Sequence, residues 1–328
     1  MSTPEATDVR KPAGIGPQTI VQKIVHPALA ALYLGNVTVP ARFEAHRAGG
    51  FVTRGQDFPE GTADAFTEAF GVDKVPGWPK GTQYLLRFYA HTTTLFTTTF
   101  GGRTLDSAHK MGTSTVYPAP FLGTGYTPSS NPIPEYFMEL TELPSGAELW
   151  RVEPSGEAKS VGFYVHRQIG WVPTDDVAFG PSRFWPAPAT LRMTVRRGLI
   201  ARYQGRDFDA DFANRPGELV LHPLPGQQAP QDFAEKDGAR FLQVPDVAVD
   251  EIAVLRKRCT WRGAEFELLD VSGDHAVLNF LGENYEVAAQ LGLTEVDYRQ
   301  WRTVAPRAEL TDVRDETRAL PRGLFSAN

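Results

Sequence analysis

The sequence predicts a β-rich α+β protein whose C-terminal part is a tandem pair of small SH3-like barrels. Glycine (30 residues) and proline (26 residues) are abundant and accompany an aromatic share of 11%, a composition that favours many short strands joined by turns. One motif occurs twice, and the residues within it alternate between polar and apolar, as in a strand with one solvated face. At 328 residues the chain is long enough for two or three compact units.

The duplicated motif is the clearest signal in the sequence. Leu199–Phe208 aligns with Lys257–Phe266, and in both segments an aromatic residue stands two positions before a glycine and a phenylalanine three positions after it. A second anchor follows downstream, where Pro245–Ile252 aligns with Pro306–Val313. Glycine and proline are 40 residues apart in the first copy and 43 in the second. Two anchors at nearly equal separation indicate an internal repeat.

Each copy of the motif predicts a β-hairpin. Gly205 and Gly263 supply the turn, because glycine adopts backbone conformations that a side chain opposes. Two hairpins that pack around the ring of Tyr203 or Trp261 would form a barrel of SH3-like size. The further elements predicted in the two copies are return strands at 217–222 and 274–280, a helical turn at 288–293, a strand near 301–304 and closing 3₁₀ turns. A weaker third copy of the opening motif is predicted at Leu32–Phe43.

The remaining sequence predicts a mixed, mostly antiparallel domain that precedes the repeats. Its β-branched run Thr92–Phe100 predicts a strand, and short helices are predicted at Asp64–Phe70 and Pro134–Leu140. The predicted organisation is a disordered arm at 1–18, an N-terminal and middle domain at 19–187, barrel-like repeats at 191–252 and 253–317, and a tail at 318–328.

Charge and hydropathy indicate a cytoplasmic protein that binds neither nucleic acid nor membrane. The formal charge is −6, and the basic residues are scattered, so no stretch attracts a phosphate backbone. The longest nearly apolar stretch, Ala28–Leu34, is too short to cross a bilayer, and the start of the chain lacks the pattern of a cleaved signal. A single cysteine, Cys259, cannot form an internal disulfide, which fits a reducing compartment.

The familiar catalytic and metal-binding motifs are missing from the sequence. The seven histidines fall on separate segments, with no His-x-x-x-His and no Cys-x-x-Cys pair. There is no phosphate-binding loop and no Gly-x-Ser-x-Gly elbow. We therefore expect no metal, no cofactor and no catalytic residues.

An enzymatic alternative comes from a partial resemblance to ADP-ribosyltransferases of the cholera-toxin-like type. The segment Ala48–Gly55, which contains Arg54, is similar to the sequence after the arginine strand of that family, and Thr113–Thr115 resembles its central Ser-Thr-Ser strand. The family's paired acids would fall on Glu265-Phe-Glu267, but its counterpart in the first repeat is Asp207-Phe-Asp209, which favours a structural origin. Glu135 and Glu139 are nearer the triplet, although they are four residues apart.

A long loop rich in proline and glycine is the candidate partner-binding site. It runs from about residue 118 to 134, and its prolines limit the conformational entropy that binding would cost. The alternative is that the loop's aromatic rings close a core beneath it. The residues predicted to contact a partner protein are Phe121, Gly123, Tyr126, Asn131 and Tyr136.

The repeats also resemble a group of actinobacterial proteins. The two motifs, together with Leu291–Asp297 and the proline-containing ends of both copies, are similar to immunity proteins that neutralise NAD-hydrolysing toxins of the tuberculosis-necrotizing-toxin kind. The resemblance covers about residues 191–317. It implies a cytoplasmic protein that binds a cognate toxin and blocks its active site without turnover of its own, and the alternative is an ADP-ribosyltransferase or NAD glycohydrolase-like toxin.

Overall fold

The chain is β-rich, and all of its described strand pairs are antiparallel. A computed structural model describes residues 20–35, 38–39, 43–55, 60–89, 95–98, 114–117, 136–174, 194–215, 217–236, 238–282, 285–297 and 300–323. Within these residues the strands form one nine-stranded sheet, one eleven-stranded sheet and one two-stranded ribbon. The β-rich class predicted from composition is therefore confirmed.

The nine-stranded sheet is built from the first half of the chain and is called the N-terminal sheet below. Its strands are β1 (Ile20–Val25), β4 (Arg47–Arg54), β5 (Gln83–Tyr89), β6 (Leu95–Thr98), β7 (Ser114–Tyr117), β8 (Tyr136–Glu142), β9 (Glu148–Val152), β10 (Ala158–Tyr164) and β11 (Trp171–Pro173). They lie in the order β11-β10-β9-β5-β1-β4-β8-β6-β7. The two-stranded ribbon is β2 (Thr38–Val39) with β3 (Phe43–Glu44).

The eleven-stranded sheet contains the duplicated motif and is called the repeat sheet. Its strands are β12 (Gly198–Tyr203), β13 (Arg206–Phe212), β14 (Glu218–His222), β15 (Ala234–Lys236), β16 (Ala239–Pro245), β17 (Glu251–Trp261), β18 (Ala264–Ser272), β19 (His275–Phe280), β20 (Thr294–Asp297), β21 (Gln300–Pro306) and β22 (Thr311–Leu320). The order is β15-β16-β14-β13-β12-β17-β18-β19-β21-β20, and β22 pairs with β17.

Helices are few among the described residues. They are α1 (Pro27–Leu34), α2 (Ala63–Ala69) and α3 (Tyr285–Gln290), with 3₁₀ turns at Val72–Lys74, Asp246–Ala248 and Arg307–Glu309. Helix α2 begins after Thr62, whose hydroxyl accepts a hydrogen bond from the Ala65 amide at 3.2 Å and so satisfies one of the free donors of the first turn. The short helix predicted at 64–70 is confirmed.

Two local predictions were wrong. Leu32–Leu34 lies in α1 and does not open a third hairpin; the helix starts with Pro27 at its first position, where proline is well tolerated, and it buries Tyr33 against Trp171 with ring centroids 5.4 Å apart. The helix predicted at 134–140 is replaced by strand β8, which pairs with β4. Met138 and Leu140 are both buried, the two-residue period of a strand.

The two copies of the repeat have equivalent strands and equivalent registers. Residue pair Leu199–Val254 joins β12 to β17 in the first copy, and Lys257–Asp315 joins β17 to β22 at the corresponding positions of the second. In each copy a 3₁₀ turn precedes the last of these strands. Strand β17 thus ends the first copy and begins the second, which fixes the two copies side by side.

The hairpin turn has the same backbone in both copies. Gln204 and Gly205 have φ of 51° and 72°, and Arg262 and Gly263 have φ of 49° and 78°. Two successive positive φ angles define a type I′ turn, whose twist matches that of the flanking strands. The turn therefore needs a left-handed residue before the glycine as well as the glycine itself, a requirement that the sequence comparison did not identify.

Each copy has an apolar core of its own. Phe208 and Phe266 occupy equivalent positions and are fully buried, each within a separate hydrophobic cluster. Trp261 is buried in the second cluster, and Tyr203 packs at the edge of the first. The N-terminal sheet has two further clusters, and the larger one contains Tyr33 and Trp171.

Candidate functional site

Most of the predicted partner-binding site lies outside the described residues. Phe121, Gly123, Tyr126 and Asn131 belong to this undescribed part of the chain, while Tyr136 is the first residue of β8 and its backbone pairs with Val52 of β4. The strands on either side of the loop, β7 and β8, both belong to the N-terminal sheet and are separated in it by β6.

The Glu265-Phe-Glu267 motif is divided between two ion pairs. Glu265 is exposed and its carboxylate lies 2.9 Å from Nη2 of Arg314 on β22, whereas Glu267 is fully buried against Arg47. The counterpart residues of the first repeat behave alike, since Asp207 pairs with Arg202 and Asp209 with Arg196, both at 3.0 Å. The two acids of each motif are two residues apart and so lie on the same face of one strand, the first near its exposed end and the second deeper in the structure.

A buried cluster of charges joins the N-terminal sheet to the repeat sheet, and we call it the ionic interface. Its members are Glu44, Arg47 and Glu142 from the N-terminal part, and Arg197, Glu267 and Arg302 from the repeats. The guanidinium of Arg47 is its centre: Nη2 lies 2.7 Å from Glu267 and Nε lies 3.1 Å from Glu142. Arg197 donates a hydrogen bond to Glu44, and Arg302 Nη2 lies 3.4 Å from the same carboxylate.

Three guanidiniums and three carboxylates make the ionic interface electrically balanced. Burial alone would raise the pKa of Glu44, but the surrounding guanidiniums, above all that of Arg197, hold it well below its ordinary value. Burial lowers the pKa of the neighbouring His46 to about 4, an effect that Glu44 opposes and Arg197 reinforces. His46 is therefore neutral at physiological pH and adds no charge to the ionic interface.

A second buried cluster of polar side chains connects the loop after β10 to the first repeat. Asp211 of β13 lies 2.8 Å from Nε2 of His222 on β14 and 3.1 Å from Nε of Arg167. The ring of His166 packs on that of His222 with centroids 4.9 Å apart, and the ring of Phe241 also contacts His166, with centroids 5.1 Å apart. Burial would raise the pKa of Asp211, but the charge of Arg167 and the hydrogen bond from His222 hold it well below its ordinary value.

The two contacts use the same outer face of each repeat. Asp209 faces His222 in the register of the first repeat, and Glu267 faces Asn279 at the corresponding positions of the second. All four residues are buried. A further ion pair, between Lys23 Nζ of β1 and Asp297 Oδ2 at 3.1 Å, adds a contact from β20. The N-terminal sheet is therefore fixed to both repeats at once.

The Asp211–His222 pair has the geometry of a general-base dyad but not the surroundings of one. In such a dyad the carboxylate orients the imidazole and the other ring nitrogen takes a proton from a substrate. Here Nδ1 of His222 is buried, and within the described residues it has no hydrogen-bond partner. The ring of His166 packs on that of His222, and His222 is 1% exposed. The arrangement is suited to joining two parts of the protein.

Two shallow clefts border this second contact. One, of about 580 Å³, is lined by Ser145 from the β8–β9 turn and by Asn214, Arg215 and Glu218 of the first repeat. The other, of about 210 Å³, lies between Gln168 and the β15–β16 hairpin around Arg240. Within the described ranges, no group of three or more His, Cys, Asp or Glu side chains is placed to hold a metal ion, and no helix is long and apolar enough to cross a membrane.

No protein family, curated protein or solved structure matches the chain. The ionic interface was missed by sequence reasoning because its members are scattered from Glu44 to Arg302, and no local spacing marks them as neighbours.

Proposed function

We propose that this chain is a non-catalytic binding protein that inhibits a secreted, NAD-degrading toxin in the cytoplasm. The observation that carries the proposal is the ionic interface. Its paired acidic and basic side chains hold the N-terminal sheet rigidly on the repeats. Rigid binders lose little conformational entropy when they associate, so more of the contact energy is expressed as affinity. The toxin class rests on the resemblance of residues 191–317 to immunity proteins.

We propose further that each repeat is a small SH3-like barrel and that the pair forms the platform. The equivalent registers, the shared strand β17 and the 3₁₀ turn before each closing strand support this interpretation. The separate apolar clusters around Phe208 and Phe266 also fit two closed units. In this arrangement the repeats supply rigidity, and the toxin contact is made elsewhere.

The proposed contact is the loop between β7 and β8, and strand β8 connects it to the platform. Tyr136 begins β8, and six residues later Glu142 ends it in the ionic interface beside Arg47. Between them Leu140 is buried in an apolar cluster with Leu269 and Val277 of the second repeat. The C-terminal end of the loop is therefore attached to a strand that both charge pairing and apolar packing hold in place.

A binding experiment with the toxin encoded beside this chain tests the proposal. We expect a stable one-to-one complex, and we expect the double variant Phe121→Ala/Tyr126→Ala to weaken it at least tenfold while keeping the circular dichroism spectrum and melting temperature of the parent. Phe163→Ala is the matched control, because Phe163 is an aromatic residue of β10 with 38% of its surface exposed. Unchanged affinity in the folded double variant would rule out this loop as the contact.

The competing proposal is an enzyme of the ADP-ribosyltransferase or NAD glycohydrolase type. Its support is that Arg54 lies on β4 and Ser114–Thr115 on β7, two strands of one sheet. This hypothesis predicts that the purified chain consumes NAD and that Glu139→Gln abolishes the activity. The binding hypothesis predicts no consumption of NAD by the purified chain.

A further inference from the structure

The last strand of the repeat sheet is an exposed edge. Strand β22 is ten residues long and pairs with β17 along one side, and within the described part of the chain no strand lies along its other side. Leu320 is its only buried residue, and Val313 has 51% of its surface exposed. An edge of this length presents a row of backbone donors and acceptors to solvent.

The regular part of this edge begins at Arg314. Asp312 has a φ of 49°, and the register with β17 shifts between Arg258 and Thr260, so a bulge interrupts the strand at this point. From Arg314 onward the pairing with β17 is continuous to Leu320, and side chains alternate between the two faces. Arg314, Glu316 and Arg318 therefore share one face.

The charges on this face are complementary to themselves in one antiparallel register. If Asp315 lies opposite Asp315 of a second copy, Arg314 of each chain faces Glu316 of the other, and Val313 faces Thr317. The same register brings Arg318 next to the bulged Asp312 of the second copy. A shift by two residues in one direction places Arg314 opposite Arg314, and in the other direction opposite Arg318. Like charges directly opposite each other are unfavourable, so both of these shifted registers are disfavoured.

The like-charged Asp315 pair at the centre has a local counterion. Lys257 Nζ lies 2.5 Å from Asp315 Oδ1 within each chain, so the two carboxylates would meet with two ammonium groups beside them. Arg314 and Glu316 also have partners within the chain, Glu265 at 2.9 Å and Arg258 at 2.7 Å. Both side chains are more than a third exposed, and pairs of this kind are weak enough to rearrange.

We propose that β22 pairs with β22 of a second copy, so that the repeat sheets of two chains form one continuous sheet across a twofold axis at Asp315. Charged residues on an edge commonly serve to prevent such pairing. The sequence of β22 differs from a uniformly charged edge because its signs alternate in a self-complementary order. An isologous contact of this type closes on itself and stops at a dimer.

Light scattering after size exclusion, over a range of chain concentrations, tests the proposal. The parent chain is expected to be a dimer, and Arg314→Glu and Glu316→Arg are each expected to raise the dimer dissociation constant about tenfold or more, because two attractive pairs become repulsive. A mixture of the two single variants restores complementarity at both positions and is expected to dimerise. The double variant with both changes is expected to do the same. Arg202→Glu, an equal charge change on an exposed residue of β12, is the control and should leave the dimer intact.

Three results would overturn the proposal: a monomeric parent chain at every concentration, dimers in both single variants, or single variants that fail to associate when mixed. A further outcome is a monomeric parent whose single variants lose affinity for the toxin, which would assign the edge to a strand of the toxin and exclude the second copy. The proposal is independent of the toxin-binding function, since the association of the chain alone is measured.

Discussion

Arg47 on β4 and Glu267 on β18 are 220 residues apart in the chain, and their side chains meet at 2.7 Å with both groups almost fully enclosed. The pair joins the N-terminal sheet to the second repeat at the centre of the ionic interface. Removing charges from water is costly, and only close pairing with further hydrogen bonds offsets that cost. The interface therefore fixes one relative position of the sheet and the repeats, because any other position would leave buried charges unpaired.

Loss of the central guanidinium should strongly destabilise the chain. Arg47→Met leaves Glu267 and Glu142 buried without this partner, and removal of one member of a buried pair typically costs about 3–5 kcal/mol. Urea unfolding would measure the loss, and Arg202→Met is the control, since it removes an exposed ion pair that is screened by solvent and should contribute little. The double variant Arg47→Met/Glu267→Leu should be less destabilised than Arg47→Met alone; an equal or larger loss would show that Glu267 does not depend on Arg47.

Lowering the pH should reduce the free energy of unfolding through the protonation of His46. Its pKa in the folded chain is lowered to about 4, below its ordinary value, so between the two values the unfolded chain binds more protons than the folded one. The free energy of unfolding therefore falls as pH decreases from about 6.5 towards 4, by up to about 1.4 kcal/mol per pH unit. His46→Gln should reduce this slope, and His275→Gln, at an exposed position, should not. Parallel slopes for the parent and His46→Gln would contradict the assignment.

The equivalent hairpin turns of the two repeats allow the same stabilising substitution to be compared at two positions. Asparagine tolerates the left-handed conformation better than most residues and is preferred before glycine in a type I′ turn. Gln204→Asn should therefore raise the melting temperature. Arg262→Asn should raise it less, because the Arg262 guanidinium lies 4.4 Å from the centre of the Trp261 ring and this contact would be lost. Thermal unfolding measures both, and a larger gain at Arg262 would contradict the account.

The single thiol should be inert in the folded chain. Burial in the second repeat raises the pKa of Cys259 to about 11, and the thiolate is the reactive form. A colorimetric disulfide reagent at pH 8 should label it slowly in buffer and rapidly in denaturant. Equal rates in the two conditions would mean that the core of the second repeat is open to solvent.

The repeat was predictable from the sequence because its constraints are local. The turn requires a positive φ at Gly205 and Gly263, and a buried aromatic residue follows each glycine at a fixed distance. Because both copies share these requirements, they can be recognised by aligning the sequence with itself. Strand β8 was predicted as a helix because a short apolar segment has no decisive period until its partner strand is known. The ionic interface could not be predicted, since the pairing of Arg47 with Glu267 depends on how two sheets pack and leaves no mark in the sequence near either residue.

The most direct test of the central claim is a titration of the toxin with this chain while NAD hydrolysis is followed. The account predicts that toxin activity falls linearly to near zero at one equivalent of the chain, and that the chain alone consumes no NAD. Full toxin activity in the presence of a tenfold excess of folded chain, or NAD consumption by the chain alone, would contradict it.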